Sequence, residues 1–107
     1  MASGVGHTVG EHGGVCVVAL DGEIDFAVAA QIGQIVRSVL TTRACASIQV
    51  DLVRVGFLDC AGVQALVNAQ AEAAARGVPL VVAGVHDGPR RVMELTGVYA
   101  RLCAPAS

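Results

Sequence analysis

The chain has 107 residues with a formal net charge of -2, and 54% of them are apolar, enough for one domain with a hydrophobic core that needs no metal or disulfide support. Its seven basic residues are all arginines, scattered from Arg37 to Arg101 without a cluster, so nothing attracts a phosphate backbone and no direct nucleic-acid contact is expected. Apolar runs such as Val15–Leu20 and Leu80–Ala83 fall far short of the roughly 20 residues of a membrane span, and Met1–Gly14 carries no export pattern. The expectation is a cytoplasmic single domain over residues 1–107, with no membrane insertion and with loose ends at 1–4 and 104–107.

In chain order, Val5–Val9 reads as a weak first strand, His12-Gly13-Gly14 as a turn, and Val15–Leu20 as a β-branched second strand, together a hairpin. Asp21-Gly22 breaks that strand. Val28, Ile32, Ile35, Val36, Val39 and Leu40 then recur at three- and four-residue steps, the mark of an amphipathic helix. Ile48, Val50 and Leu52 alternate with Gln49 and Asp51, as in a strand buried on one face. A second helix from about Ala61 to Arg76 has Val63, Leu66, Val67 and Ala74 on its inner stripe and Gly77 placed to end it. Pro79–Ala83 reads as a strand, Asp87-Gly88-Pro89 opens a third helix that stops at Thr96-Gly97, and Tyr99–Cys103 has room for a short last strand.

Single helices between strands imply parallel neighbours joined by right-handed crossovers, with the first hairpin as the antiparallel exception. The predicted fold is α/β: a mixed, mostly parallel sheet of four to five strands with helices packed mainly on one face. Ligands of such a sheet meet it where strands end and helices begin. Cys16, Cys45, Cys60 and Cys103 are widely spaced, three of them among apolar neighbours, and read as free thiols. His7, His12 and His86 do not fall at zinc-ligand spacing, so no metal or other cofactor is expected.

The segment from Val50 to Val63 runs from a buried strand straight into a helix. There Asp59 is placed to cap the first helical turn, with Phe57 and Leu58 anchoring the turn to the core. Cys60 and Ala61 then lie on the first turn, in the positive field of the helix end, and Gly62 permits close approach by another backbone. Cys60 is accordingly a candidate redox-sensitive thiol. No nucleophile, base and orienting acid assemble into a catalytic motif, and there is no lysine for a phosphate loop, so enzymatic activity is not expected.

Four pieces of the chain resemble the STAS domain family, the sulfate transporter and anti-sigma factor antagonist domain. They are Leu20-Asp21-Gly22-Glu23-Ile24-Asp25; Asp51-Leu52 with Phe57-Leu58-Asp59-Cys60-Ala61-Gly62-Val63; Arg76-Gly77; and Val92-Met93-Glu94-Leu95-Thr96-Gly97-Val98. Each alone is weak, and the four in this order and spacing are specific. The resemblance implies an anti-sigma factor antagonist, which binds an anti-sigma factor of the ATP-dependent serine kinase type and so frees a sigma factor. Its partner surface would comprise Glu23, Asp25, Asp59, Cys60, Ala61, Gly62 and Val63. In the family a serine at the start of the second helix is phosphorylated to end binding, because a phosphate adds about two negative charges to a closed interface. That position is Ala61 here, preceded by Cys60 in place of the usual serine or threonine, so the usual switch cannot operate. Asp59-Cys60-Ala61-Gly62 also resembles the Asp-x-Ala-Gly version found in domains that brace an ABC-type lipid-transport ATPase, which makes that role the alternative. A small-molecule sensor has no supporting residue pattern.

Overall fold

A computed structural model describes residues 5–103, so the expectation of loose termini at 1–4 and 104–107 lies outside the described residues. Strand β1 (Gly6–His12) and strand β2 (Val15–Ile24) form the antiparallel hairpin, His12 facing Val15 across Gly13-Gly14. Both glycines have positive φ, 57° and 86°, as a two-residue turn that follows the strand twist requires. Helix α1 (Ala29–Thr42) returns the chain to strand β3 (Ser47–Leu58), which lies parallel to β2. Helix α2 (Cys60–Ala75) leads to the short parallel edge strand β4 (Leu80–Ala83), and the sheet order is β1-β2-β3-β4. Helices α3 (Asp87–Leu95) and α4 (Tyr99–Cys103) complete the chain.

The period-two pattern decides which side of the sheet is covered. Cys16, Val18 and Leu20 of β2, Ile48, Val50 and Leu52 of β3, and Leu80 and Val82 of β4 are buried. They join one core with Ile32, Ile35, Val36 and Val39 of α1 and Val63, Leu66, Ala69 and Ala73 of α2. The alternate residues Val17, Ala19, Gln49, Asp51, Val81 and Ala83 are only half-buried. On α2 the inner stripe differs from the expected one. Ala74 is exposed and Val67 half-buried, because Ala69 and Ala73 occupy the face that Leu66 sets.

Helices α2 and α3 end in the same way. Gly77 (φ 75°) and Gly97 (φ 78°) take the left-handed conformation after α2 and α3. The amides of Val78 and Val98 then bond back to the carbonyls of Ala73 and Met93, each at 3.0 Å.

Three further expectations of the fold need correction. Strand β2 does not stop at Asp21-Gly22 but continues to Ile24, and β3 runs six residues past Leu52, because the pair accommodates the irregular stretch as bulges. Register shifts fall between Ala19 and Asp21 and between Gly22 and Glu23, each leaving one more residue on β3 than on β2. At the first shift Val53 donates its N–H to Asp51 Oδ1 (2.9 Å), and its carbonyl lies 2.6 Å from His86 Nε2.

Tyr99–Cys103 is a helical turn, not a strand. Val98, Tyr99, Leu102 and Cys103 are wholly or partly buried while Ala100 and Arg101 face water, a helical spacing, and Leu102 bonds back to Val98 O at 3.0 Å.

Cys16 and Cys45 form a disulfide rather than two free thiols; their Cα atoms lie 5.8 Å apart because β2 begins beside the loop that enters β3. Cys60 and Cys103 are free, and burial pushes the Cys103 thiol up against a smaller opposing pull from Arg90.

Candidate functional site

The two parallel strands β2 and β3 end together, Ile24 beside Leu58, and their two following turns share one carboxylate. Asp59 leaves β3 in extended conformation (φ -96°, ψ -177°), with its amide bonded to Ile24 O at 3.1 Å. Its Oδ1 accepts the Gly62 amide of the first turn of α2 at 3.0 Å, and its Oδ2 accepts the Phe26 amide of the β2–α1 turn at 3.1 Å. One side chain thus caps a helix and fastens the neighbouring turn to it.

Asp25 serves its own turn, not the helix that follows. Its Oδ1 accepts the Ala27 amide at 2.9 Å and its carbonyl accepts the Val28 and Ala29 amides at 3.2 and 3.0 Å, while α1 has no side-chain cap.

Gly62 is buried, and the backbone that approaches it belongs to the same chain. A Cβ there would lie 2.5 Å from Leu58 Cδ1, 2.8 Å from Ile24 Cγ2 and 3.2 Å from the Ile24 carbonyl oxygen. Val63 is buried too, its amide bonded to Asp59 O at 3.0 Å. Of the seven residues expected at a partner surface, Gly62 and Val63 are thus the two that are buried. Glu23 and Cys60 are exposed, and Asp25, Asp59 and Ala61 half-buried, around the same strand ends.

The phenylalanines occupy a place that sequence reasoning missed. Phe57 was expected to anchor the turn inward with Leu58; Leu58 is buried, but Phe57 is 49% exposed. The second bulge is the cause. Gly22 faces Val55 and Glu23 faces Phe57, so Gly56 is the extra residue, and it puts Phe57 outward beside Glu23. Phe26, whose amide Asp59 holds, is 83% exposed. The two phenylalanines are two of only three aromatic residues in the chain, and both face water, Phe57 two residues before Asp59 and Phe26 on the turn whose amide Asp59 holds. Glu23, Asp25 and Asp59 form no ion pair among the described residues. The signal that was available is the paucity of aromatics: a large apolar ring beside Asp25, at the end of a strand rather than inside its alternation, has no core position to fill.

The turn thus gathers two exposed aromatic rings, carboxylates outside the ion pairs of the described residues, and a small-residue helix start. Among the described residues no three His, Cys, Asp or Glu side chains lie together as metal ligands, and no helix is long and apolar enough to cross a membrane. Arg90 pairs with Glu94 at 3.1 Å and lies over the Tyr99 ring, on a solvated face of α3.

No curated protein sequence matches the chain. Among solved structures, an anti-sigma factor antagonist from Mycobacterium paratuberculosis is 27% identical with a TM-score of 0.79, covering 94% of this chain and 83% of that one. The anti-sigma factor antagonist SpoIIAA in its unphosphorylated form is 19% identical (TM-score 0.75, covering 95% and 89%). A sulfate transporter family protein from Wolinella succinogenes is 22% identical (TM-score 0.70, covering 84% and 71%). These two share the fold. The family model described as "Mlab, STAS domain" matches residues 7–102, nearly the whole described chain, and the protein therefore belongs to the STAS domain family.

Proposed function

We propose that the protein is a cytoplasmic anti-sigma factor antagonist, a binding protein and not an enzyme, which captures an anti-sigma factor of the ATP-binding serine kinase type and so releases a sigma factor. The observation that carries this reading is the turn held by Asp59, where Phe26 and Phe57 stand exposed beside Glu23, Asp25, Cys60 and Ala61. Exposed aromatic rings beside unpaired acids suit a partner that offers an apolar socket edged with basic groups. The likeness to the mycobacterial antagonist over 94% of the chain supports the same role. Ala61 takes the phosphate-acceptor position and has no hydroxyl, so the protein binds without the phosphorylation switch of its relatives.

The test is titration against each purified kinase-type anti-sigma factor of the source organism, with binding to one of them expected and binding to none overturning the reading. A second reading, a subunit that braces an ABC-type lipid-transport ATPase, is favoured by the description of the matching family model and by Asp59-Cys60-Ala61-Gly62. Co-purification with a transporter ATPase, in place of a kinase, would select it.

A further inference from the structure

We propose that Cys16 and Cys45 form a thiol–disulfide exchange site for low-molecular-weight disulfides and thiols, entered only at Cys45 and closed by Cys16. The bond joins two unequal sulfurs. Cys16 lies inside β2 with no exposed surface, packed in the core that α1 covers, whereas Cys45 is half-buried in the loop between α1 and β3. The loop is held in place from the other side, its Ala46 amide bonded to the Gly14 carbonyl of the hairpin turn at 2.8 Å. A small disulfide meets the loop and cannot reach the strand.

Exchange on the reduced pair runs in two steps. The Cys45 thiolate attacks one sulfur of a disulfide such as oxidised glutathione, forming a mixed disulfide at Cys45 and releasing one glutathione thiolate. The Cys16 sulfur then attacks Cys45 Sγ, which expels the second glutathione, and the Cys16 proton leaves with it. Two thiols are oxidised and one external disulfide is reduced to two thiols. Reduction is the reverse: an external thiolate adds to Cys45 Sγ and Cys16 is the leaving group.

The bond ties residues 29 apart in sequence and encloses the rest of β2 and all of α1. Cys16 sits opposite Ile48 near the start of β3, while the turn of Asp59 follows its other end, where Ile24 faces Leu58. The exchange therefore governs the stability of the fold and leaves the partner turn alone. It is independent of the proposed partner.

The experiment uses the full chain with Cys60→Ser, which removes the exposed free thiol. After reduction, exposure to oxidised glutathione should take the chain to one remaining reactive thiol, with no glutathione retained and a melting temperature higher by on the order of 10 °C. Adding Cys16→Ala should trap one glutathione on Cys45 in a peptide map, and adding Cys45→Ala should leave Cys16 unmodified in the folded protein. Three remaining thiols after oxidation, glutathione found on Cys16, or an unchanged melting temperature would each overturn the proposal. The measurements on the chain that keeps both cysteines need no core substitution, so a poorly folded Cys16→Ala leaves the decision intact.

Discussion

Replacing Asp59 by alanine removes two hydrogen bonds at once, and each has a known scale. Loss of a helix N-cap acceptor costs about 1 kcal/mol, and here it frees the Gly62 amide in a part-buried turn. Loss of the bond from the Phe26 amide, at an exposed site where water replaces the carboxylate, costs roughly 0.5–1 kcal/mol more. The sum, about 2 kcal/mol, corresponds to a fall in melting temperature on the order of 10 °C for a domain of this size. Asp59→Asn separates the two contributions. Its single carbonyl oxygen can keep the Gly62 bond while its NH₂ faces the Phe26 amide, donor against donor, so its cost should be about half that of alanine. Urea unfolding of the three proteins, read by circular dichroism, gives both differences at constant m-value. An alanine variant within about 0.5 kcal/mol of the parent, or an asparagine variant equal to alanine, would refute the picture of one carboxylate joining two turns.

Gly62→Ala should destabilise by about 1–3 kcal/mol in the same unfolding assay, because its methyl group meets Leu58 and Ile24 at 2.5 and 2.8 Å; a neutral effect would mean that this packing yields easily. With a cognate anti-sigma kinase and ATP, intact-mass measurement should find no phosphate on residue 61 of the parent chain and one phosphate on Ala61→Ser, since residue 61 lies on the first turn of α2 and alanine has no hydroxyl. Phosphate added to the parent at another residue, with loss of binding, would show that the switch stands elsewhere. Cys60 is exposed at the same turn, and its oxidation adds polar bulk there, so mild oxidation should weaken partner binding by the parent and not by Cys60→Ser; equal affinities would make Cys60 a small surface residue only.

Much of the fold was legible because its punctuation is local. Gly13-Gly14, Gly77 and Gly97 sit where positive φ is needed, and the helical period of Ile32 to Val39 and the alternation of Ile48 to Leu52 each announce one buried face. Asp59 was legible as a helix cap for the same reason, since capping is a contact between near neighbours. Its second bond, to Phe26, spans 33 residues and had no local sign. The bulges between β2 and β3 depend on how two strands pair, so Asp21-Gly22 looked like an end and Phe57 like a core residue. Tyr99–Cys103 is too short for a period of two to be told from 3.6. The Cys16–Cys45 pairing arises from parallel strand starts brought together by a crossover, which spacing of 29 residues does not reveal.

Capture of a kinase-type anti-sigma factor by the turn held by Asp59 is decided by calorimetric titration of the protein into each purified ATP-binding anti-sigma factor of its source organism, with Phe26→Ala and Phe57→Ala as companions. Saturable binding to one of them is predicted, weakened about 30-fold by each substitution for rings that are anchors worth about 2 kcal/mol, with both variants still folded because neither ring lies in the core. Binding to none of the kinases would contradict the assigned function, and binding that both variants retain in full would contradict the place assigned to the interface.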